Sequence, residues 1–169
     1  YYGLKQTYVE RLAKRYGKQL IVDNTQAFYA KPIADVDTFY TCRKFFGVPD
    51  GAYLYTDAKA DFEMEQDVSY DRMSFLLKRL DLGAEAGYAD FQEQRKRLVG
   101  QPIKQMSNLT RQMMKGIDYQ TVAQRRRDNY RYLHQHLGET NQLSLDLDEE
   151  AVPMVYPYLS KDEKLKQKS

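Results

Sequence analysis

Three side chains between Leu20 and Leu54 have the type and spacing for chemistry: Asp23, Gln26 and Lys44. Asp23 follows Leu20-Ile21-Val22. An apolar run that stops at a carboxylate predicts a buried parallel strand whose carboxyl end opens on a crevice, the usual binding place in open α/β sheets. A magnesium-binding aspartate at such an edge needs a Gly-x-x-x-x-Gly-Lys-Ser/Thr loop, which this sequence lacks. Lys44 taken alone is an ordinary solvated charge. Beside a buried carboxylate it becomes a candidate Schiff-base amine.

The elements that must position these groups are short. Leu4, Tyr8, Val9, Leu12, Ala13 and Tyr16 recur at helical spacing, and Gly17 stands where a left-handed cap closes a helix. That helix covers one face of a sheet and feeds the strand at Leu20. The residues from Asn24 to Asp37, with Pro32, read as a loop or short strand over the rim. Thr38-Phe39-Tyr40-Thr41 is rich in β-formers and leads to Lys44; Ala52-Tyr53-Leu54-Tyr55 follows the turn signal Pro49-Asp50-Gly51. Three strands arranged this way carry Asp23 and Lys44 toward one rim.

The series of strand, Asp23-Asn24-Thr25-Gln26-Ala27, a second strand, Lys44, then a glycine-containing turn and a third strand resembles the core of fold-type-I pyridoxal-phosphate enzymes. It is most similar to the DegT/DnrJ/EryC1/StrS sugar aminotransferases, whose pattern reads Asp-Ala-Ala-Gln-Ala and later Ser-Phe-x-x-x-Lys. The resemblance implies an α/β chain: part of the mainly parallel-sheet large domain over residues 1–116, then a linking helix and the start of an α+β small domain over residues 117–169. It implies pyridoxal 5'-phosphate as cofactor, with Asp23 on the pyridine nitrogen, Gln26 beside the phenolic oxygen and Lys44 forming the internal aldimine. The implied reaction moves an amino group from an amino-acid donor to a nucleotide-linked keto-sugar, in polysaccharide biosynthesis, in a cytoplasmic homodimer. The alternative is a non-catalytic binding or regulatory protein on the same scaffold.

The chemistry asks for these residue types. A protonated pyridine ring drains charge from a substrate's α-carbon, and an ionised carboxylate must hold that proton. A lysine attacks an aldehyde as a neutral amine, a form favoured by desolvation and neighbouring cations, and once freed it can move a proton. The sequence departs from the family pattern in two places. Phe39 and Tyr40 stand where Ser and Phe usually precede the lysine, leaving Thr41 and Cys42 as the nearest small polar groups. Gly47-Val48-Pro49-Asp50-Gly51 is shorter than the family's Gly-Glu-Gly-Gly turn region.

Composition excludes little else. The 169 residues are 42% hydrophobic, enough for one core, but the type-I fold is longer, so the sequence reads as an internal piece whose phosphate cup and ring-stacking residue lie before Tyr1. Such a piece alone is expected to be inactive. A net charge of +2 gives no general attraction to nucleic acid or to anionic membrane. The single cysteine, Cys42, excludes an internal disulfide, and no run approaches the ~18 apolar residues of a membrane span. His134 and His136 are two apart on a helical pattern, the wrong spacing for a shared metal. Arg125-Arg126-Arg127 reads as a solvated helix face, and Cys42 as a small buried filler.

Downstream, apolar stripes predict two helices between Asp67 and Val99, with Ser69 or Asp67 as cap and Gly83 and Gly87 between them. Ser107 to Lys115 reads as a short helix ended by Gly116, and Asp118 opens a longer one closed by Gly138. Ala151 to Tyr156 reads as the first strand of a small domain, before a lysine-rich end.

Overall fold

The computed structural model describes residues 5–59 and 63–161. Leu4 and the lysine-rich C-terminal stretch lie outside the described residues. The first helix, α1 (Gln6–Tyr16), ends at Gly17 as its sequence predicts, but not in a left-handed cap: Gly17 takes φ +51° with ψ −131°, a conformation costly for any residue with a Cβ, its N–H returns to the Ala13 carbonyl, and a 3-10 turn, Gly17–Gln19, follows.

Three strands follow: β1 (Ile21–Asp23), β2 (Asp37–Thr41) and β3 (Ala52–Tyr55). They form one sheet in the order β1-β2-β3. The β1–β2 pair is parallel, with Asp23 opposite Phe39, and the β2–β3 pair is antiparallel, with Thr41 opposite Ala52. Parallel pairing sends the carboxyl ends of β1 and β2 to the same edge, so Asp23 and the turn after Thr41 leave the sheet on one side.

The sheet is more open than the apolar runs predict. Val22 is buried, but Ile21 is 65% exposed and every residue of β3 is exposed. β1 and β2 alternate, with Val22, Thr38 and Tyr40 buried. The reason lies in packing: α1 reaches the sheet through a small cluster of Val9, Val22 and Val36, with Ala13, Leu20 and Ile33 around it. No comparable cluster among the described residues covers β3.

The second core lies beyond the strand ends. Cys42, Val48 and Met114 are its buried centre, and Phe28, Phe46, Met106, Met113, Ile117 and Tyr119 pack against it. Met113 and Met114 belong to α4 (Asn108–Lys115), where Ser107 caps the helix by accepting the Thr110 N–H. Tyr119 begins α5 (Tyr119–Leu137), where Asp118 accepts the Thr121 N–H. Both caps are legible in the sequence. Gly138 does not close α5 in the left-handed way; its φ is −59° and the chain continues into a 3-10 turn, Gly138–Thr140.

The two helices predicted between Asp67 and Val99 are α2 (Ser74–Leu82) and α3 (Tyr88–Leu98). Neither Ser69 nor Asp67 caps α2, which begins only at Ser74 after a 3-10 turn, Tyr70–Arg72; Ser69 is buried against Ser107, and Asp67 takes an arginine. The helices approach closely at Gly87, where an added Cβ would lie 2.6 Å from the Phe75 carbonyl oxygen. Gly87→Ala must therefore push α3 off α2. We expect a loss of about 1–3 kcal/mol, read in thermal unfolding as a fall of about 2–4 °C per kcal/mol; an unchanged midpoint would show that the pair moves freely.

Ala151 to Tyr156 is not a strand. Val152 and Pro153 are buried, and the Met154 carbonyl accepts a hydrogen bond from Arg126 of α5 at 3.2 Å, so the backbone is held by a side chain in place of a sheet partner. No helix among the described residues is long and apolar enough to cross a membrane.

Candidate functional site

Asp23 ends β1 and turns at once. Its Oδ1 accepts the Thr25 N–H at 2.9 Å, the Asn24 N–H pairs with the Phe39 carbonyl, and the Ala27 N–H closes a turn onto Asn24. Asn24 is buried beneath this turn, while Asp23 and Gln26 are exposed on its outside. The second carboxylate oxygen of Asp23 has no hydrogen-bond partner among the described residues. The rim is therefore a fixed backbone turn presenting one carboxylate and one amide.

Lys44 occupies the tight turn after β2. The Cys42 carbonyl accepts from both Phe45 and Phe46, and the Cys42 N–H donates to Gly51, which holds the turn's two stems together. Beneath it, Cys42 is wholly buried; burial, with Asp50 nearby, pushes its thiol up to about 12, so it stays protonated and serves as filler. Gly51 has a φ of +103°, and a Cβ there would stand 3.0 Å from Thr110 Cγ2 and 3.2 Å from the Cys42 sulfur. Glycine is the residue that meets both demands.

Three further contacts lock this turn, and the sequence reading missed them all. Arg126, the middle of the arginine run, is not on a solvated face: its guanidinium stacks 4.6 Å from the Phe45 ring centroid and donates to the Phe45 carbonyl at 3.0 Å. Burial pulls its pKa down, with Tyr29 opposing. Its spacing, three after Ala123 and four before Tyr130, both buried, was the available signal. Asp50 is buried and accepts from Ser107 at 3.2 Å and from Arg72 at 3.1 Å, and Arg72 also holds Asp67. Gln94 of α3 donates to the Pro49 carbonyl.

The two segments meet through aromatic rings. Phe28, two residues past Gln26, packs edge-on against Phe46 at 4.8 Å and lies 5.9 Å from Phe45, the residues that follow Lys44. Tyr119 and Tyr53 complete the cluster around Phe28. Backbone segments bearing Asp23 and Gln26 are thus fastened to the segment bearing Lys44, although Lys44 is exposed and its cavity is lined by neither of the other two. The enclosure that the lysine chemistry asks for is not supplied among the described residues.

By type the three side chains match what pyridoxal 5'-phosphate asks for, a carboxylate with one oxygen uncommitted, a free amide and an amine without an ion pair to any described residue, but the described residues do not gather them around one cavity. Among the described residues no group of His, Cys, Asp and Glu could hold a metal ion. His134 contacts the Tyr156 hydroxyl, and His136 the Tyr132 carbonyl. Comparison with models of known protein families, with curated proteins and with solved structures returns no match.

Proposed function

We propose that this chain carries the Asp, Gln and Lys portion of a pyridoxal-phosphate-dependent aminotransferase of fold type I, one that transfers an amino group between an amino acid and a nucleotide-linked keto-sugar. The observation that supports this reading is the joint placement of Asp23 and Lys44. Asp23 ends a strand parallel to the one that runs into the Lys44 turn, and the Phe28 contacts fasten the two ends together. Under this reading residues 1–116 belong to the large domain, residues 117–169 lead into the small one, and the working enzyme is a homodimer.

When bound, pyridoxal 5'-phosphate supplies an electron sink for charge developing at a substrate's α-carbon. Asp23 would hold a proton on the pyridine nitrogen, and the Thr25 N–H fixes that carboxylate's orientation. Gln26 would donate its amide N–H to the phenolic oxygen. Lys44 would hold the cofactor through its amine and could serve as the base that moves a proton at the α-carbon.

The test is borohydride reduction of the full-length protein after addition of cofactor, followed by mass mapping. Label concentrated on Lys44 and lost in Lys44→Ala is the expected result. Label spread over surface lysines and indifferent to Lys44→Ala would sink this reading and leave the non-catalytic scaffold.

A further inference from the structure

Phe45, the residue directly after Lys44, is pinned on both sides of its backbone. Its N–H donates to the Cys42 carbonyl at 3.1 Å, and its carbonyl accepts from Arg126 at 3.0 Å. Its ring is buried, 5.9 Å from Phe28 and 5.8 Å from Tyr29, with the Arg126 guanidinium 4.6 Å from its centroid. Where Phe45 sits therefore decides where the backbone of Lys44 sits.

The same guanidinium reaches a second segment. Its other terminal nitrogen donates to the Met154 carbonyl at 3.2 Å, which ties the backbone of residues 151–156 to α5. Val152 and Pro153, just before that carbonyl, are buried. A planar guanidinium holds two carbonyls at once in a fixed geometry, whereas an ammonium on a flexible stem does not. Arg126 is thus one rigid link between the Lys44 turn and residues 151–156. If that segment moves away, the guanidinium loses an acceptor and its grip on the Phe45 carbonyl loosens with it.

The opposite stem of the turn is held by other groups. The Cys42 N–H donates to the Gly51 carbonyl, and Asp50 accepts from Ser107 and Arg72. Loosening at Arg126 is accordingly felt at Phe45 and Phe46, the two residues whose N–H groups share the Cys42 carbonyl, and not at the Cys42 amide.

We infer that Arg126 is a positioning residue for Lys44: it fastens the Lys44 turn to residues 151–156, so that displacement of that segment loosens the backbone carrying the lysine. The bearing of this link on chemistry rests on the reading of Lys44 as the reacting amine.

The test is amide exchange in the full-length protein without cofactor, on Arg126→Lys, Val152→Ala and the double variant. Val152→Ala removes two buried methyl groups from the segment and leaves the arginine in place. Each single variant should raise exchange at Phe45 and Phe46 about tenfold, the size of one hydrogen bond to a charged group, with the Cys42 amide unchanged. The double variant should exchange no faster than Arg126→Lys alone, because both changes act through one link. Additive effects, no rise at Phe45 in Val152→Ala, or an equal rise at Cys42 would each overturn the inference: a purely local brace gives additivity, and a general loosening reaches Cys42. A second readout addresses the lysine itself. Borohydride-trapped pyridoxal 5'-phosphate on Lys44, counted against label on the exposed Lys18, should fall about tenfold in Arg126→Lys at a temperature where the variant is folded. An unchanged ratio would overturn the positioning role. Absence of label on Lys44 in the unaltered protein is instead the failure of the proposed function, on which the exchange results do not depend.

Discussion

Asp23→Asn should leave cofactor attachment to Lys44 measurable while lowering turnover at least about a thousandfold, on the order of 4 kcal/mol in the barrier. Asparagine keeps the shape and can still accept the Thr25 N–H, so the turn after β1 survives. Under the proposed function, what it loses is the negative charge that would hold a proton on the ring nitrogen, without which the ring is a poor acceptor of electrons. Binding and chemistry should therefore separate: the label remains on Lys44 and the rate collapses. Near-normal turnover would remove Asp23 from the site, and a loss of labelling equal to the loss of rate would assign it a merely structural role.

Arg72→Ala should destabilise the folded chain by about 3–5 kcal/mol, since it strands two carboxylates that the arginine now neutralises. The Asp50 and Arg72 side chains are only 11% and 12% exposed, which leaves little water to take over. Asp67, at 19%, is nearly as enclosed. Urea unfolding should show a lower midpoint with an unchanged slope. Because Asp50 sits in the Gly47–Gly51 stretch beside the Lys44 turn, amide exchange should rise there before it rises in α5. Arg72→Lys should recover part of the loss. A midpoint shifted by less than about 1 kcal/mol would show that the pair behaves like a surface ion pair.

The parts of the structure that depend on near neighbours were readable. Gly17 ends α1 because a positive φ follows from its missing Cβ, and Ser107 and Asp118 cap their helices because a short oxygen-bearing side chain reaches the N–H three residues on. The strands β1, β2 and β3 fell where β-formers and the Pro49-Asp50-Gly51 signal placed them. Readings that needed a distant partner failed. Ser69 looked like a cap and is instead a buried partner of Ser107, and Val152 and Pro153 looked like strand and are instead wedged in place beside Arg126.

Residue order by itself singled out Asp23, Gln26 and Lys44 as candidates, by type and by the strand ends that precede them. Only the tertiary structure decided how those ends are held. Arg126 over Phe45, Arg72 on Asp50 and Phe28 against Phe46 join residues far apart in the chain, and in the sequence each looks like an ordinary surface cation or a core ring. The physical reason is that burial of a charge is a property of the assembled surroundings: an arginine on a helix is solvated or enclosed according to what packs against it, and one chain's local pattern carries that information only where the same helix face also bears buried neighbours, as Ala123 and Tyr130 do for Arg126.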